Sequence, residues 1–124
     1  MNSKKFRFVE DFLNNKNIFF EELTEEGFFS KEMFERYSHT IYELSKEELP
    51  LKDKYNLIVI VWEISFKLES FIGRHKDPND FVTIENLSNE ELHKIGDVLY
   101  YTANWLSYNK PIEERLTKIN GWKH

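Results

Sequence analysis

Two pairs of side chains stand at the spacing a helix needs to aim them at one atom. His93 and Asp97 are four residues apart, and so are His39 and Glu43; residues i and i+4 share a helix face. An imidazole and a carboxylate placed this way can ligate a transition metal or pass a proton. Glu90 also precedes His93 by three, the Glu-x-x-His spacing of di-iron bundles. Such a centre needs two of these units and two more glutamates from facing helices. The sequence has one unit and no His-Glu-x-x-His. A metal- or small-ligand-binding helical enzyme would therefore have to be assembled from His39, Glu43, Glu63, His93 and Asp97. That is the alternative reading; the favoured one has no metal, no cofactor and no catalytic set.

Other chemistries lack their residues. With no cysteine there is no thiolate nucleophile, thiolate zinc site or disulfide, which fits a reducing cytoplasm. No Gly-x-Ser-x-Gly frames a serine, and four scattered glycines build no phosphate loop. The Arg74-His75 pair suits a helix C-terminus, where basic groups complement the dipole.

What remains is charge and aromatic surface. The 124 residues carry a net charge of −5, which disfavours direct binding to nucleic acid. The acidity is concentrated: residues 10–48 hold eleven acids against four bases, net −7. Within that stretch Glu22 and Glu26 are four apart, as are Glu43 and Glu47. Like charges at that spacing slightly destabilise a helix, whereas a basic partner would gain from them. Glu21, Glu22, Glu25, Glu26, Glu43 and Glu47, with Tyr42 as an apolar anchor, form the first candidate docking face. The stripe His93, Asp97, Tyr100 and Asn104 is the second.

These residues must be positioned by helices. Phe8, Val9, Phe12 and Leu13 form one face of a helix over 4–15. A short helix over 19–26 is expected to stop at Gly27. Ser30 caps a third, with Phe34, Tyr37, Ile41 and Leu44 inward and Glu47, Leu49 and Pro50 closing it. Residues 52–72 include Leu57-Ile58-Val59-Ile60-Val61-Trp62, strand-like in its β-branched residues. The run is too long for a strand, and Lys52, Asn56, Glu63, Lys67 and Ser70 repeat at helical multiples. It is expected to be a central helix, buried on most sides, ending near Gly73. The phenylalanines, including Phe28 and Phe66, are expected in the core. Ser88-Asn89-Glu90-Glu91 is a capping box opening a helix that buries Leu92, Ile95, Leu99 and Leu106. Pro111 suits the start of a last helix through Ile112, Leu116 and Ile119. The sum is an all-α, single-domain bundle of five to six helices over residues 1–124. No apolar run reaches the roughly 20 residues of a membrane span, and Glu10 and Asp11 interrupt any signal-peptide core.

The acidic stretch Glu21-Glu22-Leu23-Thr24-Glu25-Glu26, the pair Trp62-Glu63 and the helix Tyr100-Tyr101-Thr102-Ala103-Asn104-Trp105, in a cysteine-free helical domain of this size, resemble bacterial toxin-immunity proteins. The resemblance is to those of contact-dependent growth inhibition and related polymorphic toxin systems. It implies a cytoplasmic binder and no enzyme. Such a protein covers the active site or substrate surface of a cognate toxin, often a nuclease whose basic surface acidic groups can mimic. The third expectation is a protein-interaction module with other partners.

Overall fold

The computed structural model describes residues 4–14, 18–79 and 83–108, with side chains given through Trp105. Five helices and no strand occur among them: α1 (Lys4–Leu13), α2 (Phe19–Glu26), α3 (Lys31–Ser45), α4 (Leu51–Lys76) and α5 (Asn89–Tyr108). The expected last helix, Pro111 to Ile119, lies outside the described residues, as does the side chain of Leu106.

Each helix starts or stops where local chemistry dictates. The Ser30 hydroxyl accepts from the Met33 amide at 3.3 Å and caps α3. Gly27 ends α2 with a left-handed backbone, φ 64°, and its amide donates to the Glu22 carbonyl. The capping box of α5 forms in full: the Glu91 amide donates to Ser88 Oγ at 3.1 Å, and Ser88 N–H donates to Glu91 Oε1 at 2.9 Å.

Around the core, α1 packs on α3, α3 on α5, α5 on α4 and α4 back on α1; α2 lies against α1. The result is a four-helix ring with α2 as an added side piece. Phenylalanines fill one end of the interior. Phe12 stacks between Phe19 at 4.5 Å and Tyr37 at 4.6 Å, and Phe19 meets Phe20 and Phe29 edge-on. Offset and edge-on contacts of this kind add to area burial. Tyr37 is fully buried, and burial pushes its phenol far above the ordinary value, so it stays neutral.

A ring has no central helix, and α4 accordingly departs from expectation. It buries the single stripe Leu57, Val61, Ile64, Ser65 and Leu68, and its outer side is open. Trp62 and Phe66, expected in the core, are exposed, and so is Phe28. Nor does Gly73 end the helix, which continues to Lys76; a single glycine lowers helix propensity without forcing a stop. At the other end of the bundle α3 stops at Ser45, two residues before the expected Glu47.

The segment leading into α5 is fastened to the α2–α3 junction. Asn86 exchanges two hydrogen bonds with the backbone of Phe29, at 2.8 and 2.9 Å. Glu85 N–H donates to the Gly27 carbonyl at 2.8 Å, and Ile84 N–H donates to His75 Nδ1 at 2.9 Å. Lys31, almost fully buried, pairs with Glu91 at 3.0 Å and ties the start of α3 to the start of α5. Partial burial pushes the Glu91 carboxyl up, but the Ser88 amide, Lys31 and the Ser88 hydroxyl outweigh it and hold it below the usual value.

Two outcomes are expected. A Cβ at Gly27 would lie 2.6 Å from the Thr83 carbonyl oxygen, and the left-handed backbone alone costs a side chain about 1–2 kcal/mol. Gly27→Ala should therefore lower stability by at least that much in urea titration; a neutral result would remove the junction's special role. Because Glu91 is held low when folded, its contribution is present above the unfolded pKa of about 4.3 and lost as pH falls through the folded value. Glu91→Gln should be less stable than the parent at pH 7, and the gap should close below about pH 4. Parallel stability curves down to pH 3 would contradict this.

Candidate functional site

The two docking faces read from the sequence are built differently. On the first, Tyr42, Glu43 and Glu47 line a shallow cleft of about 400 Å³ with Lys5, His39 and Lys46. Lys5 reaches over from α1 to Glu47 at 3.4 Å and Glu43 at 3.8 Å. His39 Nε2 lies 3.7 Å from Glu43, and the Lys46 ammonium sits over the Tyr42 ring at 4.5 Å. The like-charged pair, Glu43 on α3 and Glu47 just past its end, thus has a reason within the fold: it shares a cation from α1. This differs from the sequence argument that folding alone gives the pair no purpose. Lys5 stands on another helix, 42 residues from Glu47 in sequence, and only the fold brings it there.

Glu21, Glu22, Glu25 and Glu26 belong to α2, which packs on α1, and no ion pair joins them to a cation among the described residues. The structure therefore splits the expected acidic face in two. One part is internally neutralised; the other, on α2, projects uncompensated charge.

The second face is more distinctive. His93, Asp97, Tyr100 and Asn104 lie on one side of α5, away from its buried Leu92, Ile95, Val98, Leu99 and Ala103. Tyr100 is 63% exposed and meets Tyr101 edge-on at 5.6 Å. His93 and Asp97 approach to 3.9 Å at the surface. Asn104 donates to the Tyr100 carbonyl at 2.8 Å, which holds its amide along the helix.

Tyr100 and Asn104 also border a groove of about 330 Å³ between α5 and α4, whose far wall is Trp62, Ser65 and Glu69. Ser65 is only 4% exposed, and its hydroxyl has no hydrogen-bond partner among the described residues. A buried hydroxyl without a partner costs about 1–3 kcal/mol, so Ser65 is an unsatisfied polar group in the wall of the groove. Ser65 and Trp62 sit in a largely apolar run of α4, so their place in a groove wall follows from the packing of α5 and not from local periodicity.

His39 and Glu43 are on α3, Glu63 on α4, and His93 and Asp97 on α5. Among the described residues no three His, Asp or Glu side chains gather into a set able to hold a metal ion, and the two i, i+4 pairs remain separate surface contacts. No helix among the described residues is long and apolar enough to cross a membrane. No protein-family model matches the chain, and no curated protein and no solved structure does so either.

Lys5 supplies the test of the first face. Lys5→Ala leaves Glu43 and Glu47 facing each other without their cation and should cost up to about 1 kcal/mol. The loss should shrink at 1 M salt, where screening acts within about 3 Å. No loss at low salt would mean the three side chains do not interact.

Proposed function

We propose that the chain is a binder that neutralises a cognate bacterial toxin, an immunity protein of the contact-dependent or polymorphic-toxin kind, acting in the cytoplasm of the cell it protects. It meets the toxin with the outward stripe of α5 and the adjoining groove. The observation that carries this is the pairing of Tyr100 with Ser65. An exposed aromatic stands at the rim of a groove whose buried hydroxyl is unsatisfied. A large amphipathic side chain beside a pocket is how interface anchors are built.

Charge supports the same reading. The uncompensated acids of α2 give the protein a negative field, and such a field raises encounter rates with a basic partner. A nuclease, which needs a basic surface for its substrate, is the fitting class of toxin. Glu69 and Asn104 in the groove wall, with Asp97 one turn before Tyr100 on the same stripe, supply acceptors for its lysines and arginines. The reading needs no metal and no catalytic residue.

The test is protection of growing cells from the toxin domain encoded beside this chain, with affinity measured in parallel. Tyr100→Ala should weaken binding by at least tenfold, about 1.4 kcal/mol, and abolish protection without changing the melting temperature. Glu21→Lys with Glu25→Lys should mainly slow association, and the difference should fade as salt rises. Retention of full affinity and protection by Tyr100→Ala would place docking elsewhere. Absence of any such toxin beside the gene would remove the immunity reading altogether.

A further inference from the structure

The outer side of α4 carries a row of large apolar groups that the bundle does not cover. Leu51 is 69% exposed, Tyr55 62%, Val59 54%, Trp62 38% and Phe66 66%. From Tyr55 to Phe66 the steps are four, three and four residues. That is the period of a helix seam that packs against another helix, 3.5 residues per repeat. Inside the bundle α4 uses a different stripe, so the seam belongs to a contact the monomer does not make.

The ends of the seam show what covers it. One step outward on the same repeat stand Lys52, three residues before Tyr55, and Glu69, three after Phe66. Both are exposed, and neither has an ion pair among the described residues. Lys52 also sits in the first turn of α4, where a cation is disfavoured by the helix dipole. The arrangement is palindromic. A two-fold axis midway between Val59 and Trp62 sets Val59 against Trp62 of a second copy, Tyr55 against its Phe66, and Lys52 against its Glu69. By symmetry each of these contacts occurs twice. Charged layers of opposite sign then close both ends of an apolar seam.

We infer that two copies of this chain associate through antiparallel α4 helices along this seam. A parallel pairing would set Lys52 against Lys52 and Glu69 against Glu69, so the same charges that favour one orientation reject the other. The exposed parts of Tyr55, Val59, Trp62 and Phe66 amount to about 500 Å² per copy, judging from the size of such residues, and the apolar stems of Lys52 and Glu69 add to it. Doubled, this reaches the lower range of specific interfaces, which suits a dimer that forms at micromolar concentration. The contact goes beyond toxin binding, and because Trp62 and Glu69 also wall the groove beside Tyr100, the dimer and the toxin complex compete for that edge of α4.

Sedimentation equilibrium on the full chain between about 1 and 200 μM tests it. The expected mass rises toward twice the 15.1 kDa of the chain. Lys52→Glu alone and Glu69→Lys alone should each weaken dimerisation by about tenfold, since like charges then meet at both ends. The double variant, Lys52→Glu with Glu69→Lys, should restore the parent affinity. Both substitutions are on exposed positions, and unchanged circular dichroism of all three variants confirms that folding is intact. A chain that stays monomeric at 200 μM overturns the inference. So does a double variant as weak as the singles, because only antiparallel self-pairing predicts the rescue.

Discussion

The carboxylate of Glu91 is where three parts of the chain meet. One oxygen closes the capping box on the Ser88 amide, and the other pairs with the buried ammonium of Lys31. A buried ion pair is not by itself a source of stability, because desolvating both groups offsets much of their attraction. Its value lies in position. It sets where α5 begins relative to α3, while Asn86, Glu85 and the Gly27 turn hold the preceding segment on the α2–α3 junction. Once the start of α5 is fixed, its path along α4 follows, and with it the groove that brings Tyr100 and Ser65 together.

The ring arrangement explains why so much apolar surface is left outside. Each wall of a four-helix ring needs one inward stripe. α4 has apolar residues on nearly every side, more than one inward stripe can use. The surplus lies on the outer side, as a continuous row. Soluble proteins seldom leave such a row uncovered without a binding use. Polar neighbours such as Asn56, Glu63 and Ser70 run beside it, which gives the row an edge.

Helix positions were readable from the residues because caps and breakers act locally. Ser30, Gly27 and the Ser88–Glu91 box each mark a boundary through bonds made within a few residues. Burial was less readable. Periodicity marks the polar positions of residues 52–72, but among apolar positions it does not separate inward from outward, which is why Trp62 and Phe66 read as core in the sequence and lie outside in the fold. The candidate sites divide along the same line. The stripe of His93, Asp97, Tyr100 and Asn104 is a local helix pattern and was visible as such. The groove beside it needs Ser65 and Trp62 from another helix. At the C-terminal end of α3, Glu43 and Glu47 read as unopposed in sequence because their cation, Lys5, is about 40 residues away and adjacent only in the fold.

The two tryptophans whose surroundings are described occupy opposite kinds of place. Trp105 is buried among core side chains, and Trp62 stands on the outer side of α4 with its ring near Phe66 at 5.9 Å. Their light emission therefore reports on different events. The indole of Trp105 sees water only when the bundle opens, so its spectrum follows folding. The indole of Trp62 is already partly wet and accessible to a soluble quencher in the folded chain. Anything that covers α4 will shield it and shift its emission while leaving Trp105 unchanged, so the protein carries its own optical label for both core and surface.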